Sequence, residues 1–123
     1  MPIELTSLGR AYLATLDAAV RDTLIRSIKR GYRSATWKPV GADIDAGITQ
    51  VHADDYCVAS WQPGVVAMST PLMLPGGRTL ALNLSLTTDE PCAPVAQRYV
   101  GDLLALKDRI AHQLALSDRG ALY

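Results

Sequence analysis

The chain has 123 residues, and 12 Lys plus Arg balance 12 Asp plus Glu for a formal net charge of zero. One domain of that length buries roughly two thirds of its unfolded surface around a single core. Neutrality argues against a phosphate grip built on a basic excess and against a polybasic membrane-surface role, so no direct contact with nucleic acid or membrane is expected. No run approaches the ~18 consecutive apolar residues of a membrane-spanning helix. The opening Met1-Pro2-Ile3-Glu4-Leu5 lacks the basic and apolar regions of a secretory leader, so a cytoplasmic location is expected. Two cysteines, Cys57 and Cys92, are too few for a disulfide scaffold, and no Cys/His cluster points to zinc.

Taken in chain order, the pattern predicts a first helix capped by Thr6, with Leu8, Tyr12, Leu13 and Leu16 as its apolar stripe. A second helix starts at Asp17 and repeats Val20, Leu24 and Ile28. Arg26, Lys29 and Arg30 crowd its last turns, where the dipole favours cations, and Gly31 is the expected stop. Residues 32–38 read as a connector before Pro39. A third helix then carries Val40, Ile44, Ile48 and Val51 on one face and ends near Asp54-Asp55.

The period next changes from about 3.6 to 2. Residues 56–61 read as a short strand ended by Gln62-Pro63-Gly64. Residues 65–74 and 78–87 read as hairpin arms about Pro75-Gly76-Gly77. Pro71 lacks a ladder donor and predicts an edge position or a bulge. After a connector at 88–94, the spacing of Val95, Tyr99, Leu103, Leu106, Ile110 and Leu114 predicts a closing helix to Leu116. Helices grouped apart from an antiparallel hairpin mean an α+β fold of one domain, with helices packed on one sheet face. Three strands make a small sheet for so long a helix.

The second arm alternates strictly. Leu80, Leu82, Leu84 and Leu86 share one face; Thr79, Ala81, Asn83, Ser85 and Thr87 share the other. Directly opposed residues share a face, so the register that joins apolar to apolar sets Val66, Met68 and Leu72 beside the leucines. It sets Ala67 and Ser69 beside Asn83 and Ser85. The expected result is a face of small side chains, two hydroxyls and one carboxamide, able to orient a small polar ligand. Only Arg78 is charged between residues 65 and 87, whereas a solvated sheet face usually carries long charged side chains.

The run Thr6-Ser7-Leu8-Gly9-Arg10-Ala11-Tyr12-Leu13-Ala14 resembles the helix that opens the later part of the effector-binding domain in IclR-type bacterial transcriptional regulators. Asp55-Tyr56-Cys57-Val58, then Trp61 through Leu72, is similar to that family's "G-Y-C" and "W-x-P" segments. Gly76-Gly77-Arg78 and Ala81-Leu82-Asn83-Leu84-Ser85 resemble its turn and following strand. The resemblance runs from Thr6 to about Leu116 in the family's order. It implies a GAF-like (profilin-like) domain whose antiparallel sheet takes a small organic effector, often a carboxylic or aromatic acid. Carried over by position, the implied effector contacts are Ser7, Leu8, Cys57, Ala67, Asn83 and Ser85, to which the strand pattern adds Ser69. The family's winged helix-turn-helix and the domain's opening strands are not in this sequence. Asp55 replaces a family glycine, the Cys57–Trp61 spacing is shorter, and Leu86-Thr87 stands where glycine is common.

No nucleophile elbow, Walker loop or dinucleotide fingerprint occurs, so neither a catalytic site nor a cofactor or metal is expected. His52 and His112 read as surface histidines, and the Asp and Glu residues as helix-end and loop carboxylates. The expected function is ligand sensing within a homo-oligomeric regulator, read out by a separate DNA-binding domain. The alternative is a stand-alone interaction protein that self-associates through an open sheet edge.

Overall fold

The computed structural model describes residues 2–120. Helices α1 (Ser7–Thr15), α2 (Ala18–Lys29) and α3 (Ser34–Asp54) precede strands β1 (Cys57–Ala59), β2 (Val65–Met73) and β3 (Thr79–Thr87), and α4 (Cys92–Gly120) closes the chain. The sheet is antiparallel in the order β1-β2-β3, so the α+β class stands. The helices are not confined to one face, however. Val58, Met68 and Leu84 stand in register on one side and pack on Ala96 and Leu103 of α4. Cys57, of opposite parity, joins Ala11, Leu13, Ile44 and Val51 in a second cluster beneath α1 and α3. The small side chains on that face leave room for α1 to sit directly on the sheet.

Thr6 caps α1 as expected, accepting a hydrogen bond from the Gly9 N–H at 3.0 Å. Gly9 itself is forced by a close approach: a Cβ there would lie 2.2 Å from the Ile3 carbonyl oxygen. The lead-in segment is further tied by Arg10 Nε, which donates to the Glu4 carbonyl at 3.2 Å, and by Tyr32 Oη, which donates to Glu4 Oε1 at 2.7 Å. That second bond, to a carboxylate, raises the Tyr32 phenol above its ordinary pKa.

Asp17 occupies the N-cap of α2 but its side chain caps nothing. Gly31 marks the end of α2 without a left-handed conformation; the chain unwinds through Gly31 N–H to Ile28 and Tyr32 N–H to Lys29. The expected 32–38 connector is shorter, because α3 starts at Ser34 and takes Pro39 into its second turn. One helical hydrogen bond is lost there. Trp37 and Val40 pack against the α1–α3 cluster, and the Trp37 ring covers Gly41, which holds the turn in place. Asp55 ends α3 in the left-handed region at φ 67°, with its N–H on the Val51 carbonyl. Cys92, Ala93 and Pro94 form the first turn of α4, where proline costs no hydrogen bond.

The hairpin register runs unbroken from Val65↔Thr87 to Met73↔Thr79, with Gly76 and Gly77 at φ 82° and 80° in the turn. Thr88 N–H bonds to Gly64 O and Leu74 N–H to Arg78 O. Hydrogen-bonded pairs alternate along an antiparallel ladder, so even-numbered residues of β2 and β3 bond to each other. Odd-numbered residues of β2 therefore point their amides toward β1. Pro71 is such a residue, and β1 ends opposite Ser69. The expected edge or bulge is replaced by a proline in the central strand, beyond the reach of its short neighbour.

Candidate functional site

Five of the seven residues singled out in the sequence gather around one cavity of about 210 Å³. The first turn of α1 contributes Thr6, Ser7 and Leu8, the β1–β2 loop contributes Trp61 and Gln62, and the hairpin contributes Val65, Ala67, Asn83 and Ser85. Five of the expected residues thus line it: Ser7, Leu8, Ala67, Asn83 and Ser85. Ser69 and Cys57 do not reach it; both are fully buried one layer behind. Thr6, Trp61, Gln62 and Val65 are additional. Strand parity found the hairpin contacts, but a loop has no periodicity, so only the tryptophan beside Pro63-Gly64 signals that wall.

The loop is shaped locally. Ser60 Oγ donates to Val65 O at 2.6 Å, Val65 N–H bonds to Gln62 O, and Gly64 takes φ 77°. Trp61 is left 37% exposed at the cavity rim, an amphipathic lid of the kind indole supplies at binding surfaces.

A directed hydrogen-bond chain lies across the floor. Ser69 Oγ donates its only proton to Asn83 Oδ1 at 3.0 Å. Ser7 Oγ, 2.9 Å from Ser69 Oγ, is therefore the donor in that pair. Asn83 Nδ2 donates to Ser85 Oγ at 2.7 Å. The chain leaves the Ser85 hydroxyl proton and the second Asn83 amide proton uncommitted. Thr6 Oγ1, occupied as an acceptor by Gly9, also keeps its proton. The first-turn N–H groups of Ser7 and Leu8 have no intrahelical partner and sit at the positive end of the helix. The cavity therefore offers hydroxyl and amide donors at Thr6, Asn83 and Ser85, and its lining carries no charged side chain.

Cys57 Sγ donates to Ser7 O at 3.2 Å. Burial pushes its thiol up to about 11, and the nearby Arg10 charge offsets only part of that. It is a thiol rather than a thiolate at neutral pH, and it anchors the helix turn that lines the cavity. His52, exposed on α3, donates through Nε2 to the Ala14 carbonyl at 2.9 Å, since a carbonyl can only accept. Among the described residues no group of three or more His, Cys, Asp or Glu is placed to hold a metal. No helix among them is long and apolar enough to cross a membrane.

Neither protein-family models nor curated protein sequences match the chain, but solved structures do. An IclR family transcriptional regulator from Brucella abortus superposes with a TM-score of 0.78 at 18% identity, covering 95% of this chain and 44% of that one. A transcriptional regulator from Rhodococcus gives 0.73 at 23% identity, covering 94% and 48%. A double mutant of the inducer-binding domain of the PobR transcription factor from Acinetobacter, solved with 3-hydroxybenzoic acid, gives 0.58 at 24% identity, covering 87% and 63%. This chain spans about half the length of the first two and shares their fold.

Proposed function

We propose, from a fold shared with IclR family regulators, that this chain is a small-molecule effector-binding module whose ligand is a small organic acid. The observation that carries the reading is the cavity in which α1, the Trp61 loop and the hairpin converge. Its uncommitted donors suit a carboxylate, and its walls of Leu8, Trp61, Val65 and Ala67 suit a compact aromatic or aliphatic body. At about 210 Å³ it lies below the ~300–1,000 Å³ of drug-sized sites, which favours a metabolite of few atoms. The 3-hydroxybenzoic acid held by the double mutant of the Acinetobacter domain is of that kind.

Binding would draw the α1 turn toward the hairpin and shift an equilibrium between quaternary arrangements of a homo-oligomer. A separate winged helix-turn-helix domain would read that shift. Calorimetric titration of the chain with a panel of benzoates and short-chain carboxylates tests the reading. At least one acid should bind, and Asn83→Leu and Ser85→Val should each weaken it at least tenfold. Failure of every acid to bind, or undiminished affinity in both variants, would overturn it.

A further inference from the structure

Arg10 is a buried charge that the proposed effector cavity leaves unused. It projects from α1 and is only 9% exposed. Its stem runs against Gly47 of α3, where a Cβ would lie 3.0 Å from Arg10 Cδ, so the glycine keeps open the slot through which the arginine passes. Nε is held by the Glu4 carbonyl at 3.2 Å. Among the described residues no carboxylate pairs with the guanidinium, and neither Nη makes a hydrogen bond. A guanidinium left dry and unpaired would be costly, yet among these residues no side-chain nitrogen is sealed without a partner. The two Nη groups therefore open into the cavity of about 310 Å³ that Arg10 lines with Leu5, Asp43, Ala59, Ser60 and Trp61. β1 borders that cavity, at the opposite end of the sheet from β3.

The geometry points to a second small-molecule site here, one that takes an α-amino acid as its zwitterion. Arg10 supplies a fork of Nη donors that matches a carboxylate. Asp43, exposed on α3, lines the same cavity but pairs with neither Arg10 nor any other cation among the described residues. Opposite charges that share a cavity without meeting set up a field suited to a dipolar ion. Ser60 spends its hydroxyl proton on Val65 O at 2.6 Å, so its oxygen can only accept, which suits an ammonium group. Leu5, Ala59 and Trp61 are apolar walls for the amino acid's side chain. A phosphate or a dicarboxylate would bring a second negative charge against Asp43. The volume sits at the low end of the roughly 300–1,000 Å³ of small-molecule sites. Trp61 stands in the wall of both this cavity and the effector cavity, so its indole reports on either. The effector cavity has no charge in its lining, and the amino-acid site does not depend on the reading proposed for it.

Titration with matched ligands tests this: alanine against propionate, valine against isovalerate and phenylalanine against hydrocinnamate, with inorganic phosphate alongside. Calorimetry gives the affinities, and the Trp61 indole signal in nitrogen-edited NMR spectra shows that binding is at one of the two cavities it lines. At least one amino acid should bind, and more tightly than its deaminated partner. Asp43→Asn should weaken that amino acid about threefold to fivefold, the scale of an exposed charge pair, and leave the plain acid no weaker. Arg10→Gln should weaken the amino acid at least tenfold, as loss of one side of a desolvated charge pair does. Asn83→Leu, in the other cavity, should leave amino-acid affinity unchanged. Should Arg10→Gln not fold, Asp43→Asn decides alone, because its position on α3 is exposed. Failure of every amino acid to bind at ~10 mM, above the weakest millimolar affinities, overturns the inference. So does amino-acid binding indifferent to Asp43→Asn, or binding lost in Asn83→Leu, which would move it to the other cavity. Phosphate binding more tightly than any amino acid would also overturn it, by making the Arg10 cavity a site for anions alone.

Discussion

Ser69 lies at the turning point of the hydrogen-bond chain, so its removal tests the direction assigned to that chain. Ser69→Ala deletes the bond to Asn83, about 1 kcal/mol, and leaves the Ser7 hydroxyl without an acceptor. Ser7 is 1% exposed, so its orphaned proton costs roughly 1–2 kcal/mol more. The expected loss is about 2–3 kcal/mol, or on the order of 10 °C in melting temperature for a domain of this size. Ser7→Ala removes only a donated bond and should cost about 1 kcal/mol. The double variant buries no orphan and should be no less stable than Ser69→Ala alone, a coupling of about 1–2 kcal/mol. Urea unfolding of the four proteins measures it. Additive losses, or a Ser69→Ala cost below about 0.5 kcal/mol, would show that Ser7 does not donate to Ser69.

Gly9→Ala should reverse the usual helix preference: alanine ordinarily gains about 1 kcal/mol, but here its Cβ meets the Ile3 backbone at 2.2 Å. A marked fall in melting temperature is expected, and a rise would refute the close approach. In native protein at pH 7.5, a thiol reagent should modify Cys92 while Cys57 reacts only on unfolding; rapid labelling of both would contradict the burial. Because the folded thiol of Cys57 titrates near 11 against an ordinary value of 9.0, the folded state holds its proton longer than the unfolded state. That contribution to stability is intact below about pH 9 and lost as pH rises toward 11, at up to ~1.4 kcal/mol per pH unit. Wild type should lose stability over that window relative to Cys57→Ala, as followed by denaturant midpoints.

The hairpin was legible because a one-residue slip would turn every side chain to the other face: once the leucines share a face and the Pro75-Gly76-Gly77 turn fixes the offset, Ala67 meets Ser85 and Ser69 meets Asn83. The Thr6 cap was legible for a similarly local reason. Pro39 was not, since the packing of Trp37 and Val40 outweighs one missing hydrogen bond and neither packing partner is near in sequence. Periodicity gave α1 and α4 their apolar stripes without saying which sheet face each would meet. The polar hairpin face was therefore expected to be open behind the leucines, whereas Ser7 brings a hydroxyl down onto Ser69 and seals its centre. Only the outer part, at Asn83 and Ser85, remains hollow, and the loop residues that wall it carry no repeating pattern.

The contact of Ile3 with Gly9 has a mechanical consequence. Residues 2–5 are pinned to α1 by that contact and by the Arg10 bond to Glu4, and to the α2–α3 connector by Tyr32, while the opening turn of α1 forms one wall of the cavity. Wall and incoming backbone thus behave as a single crank. Any displacement of Ser7 and Leu8 would therefore carry the backbone of residues 2–5 along with it.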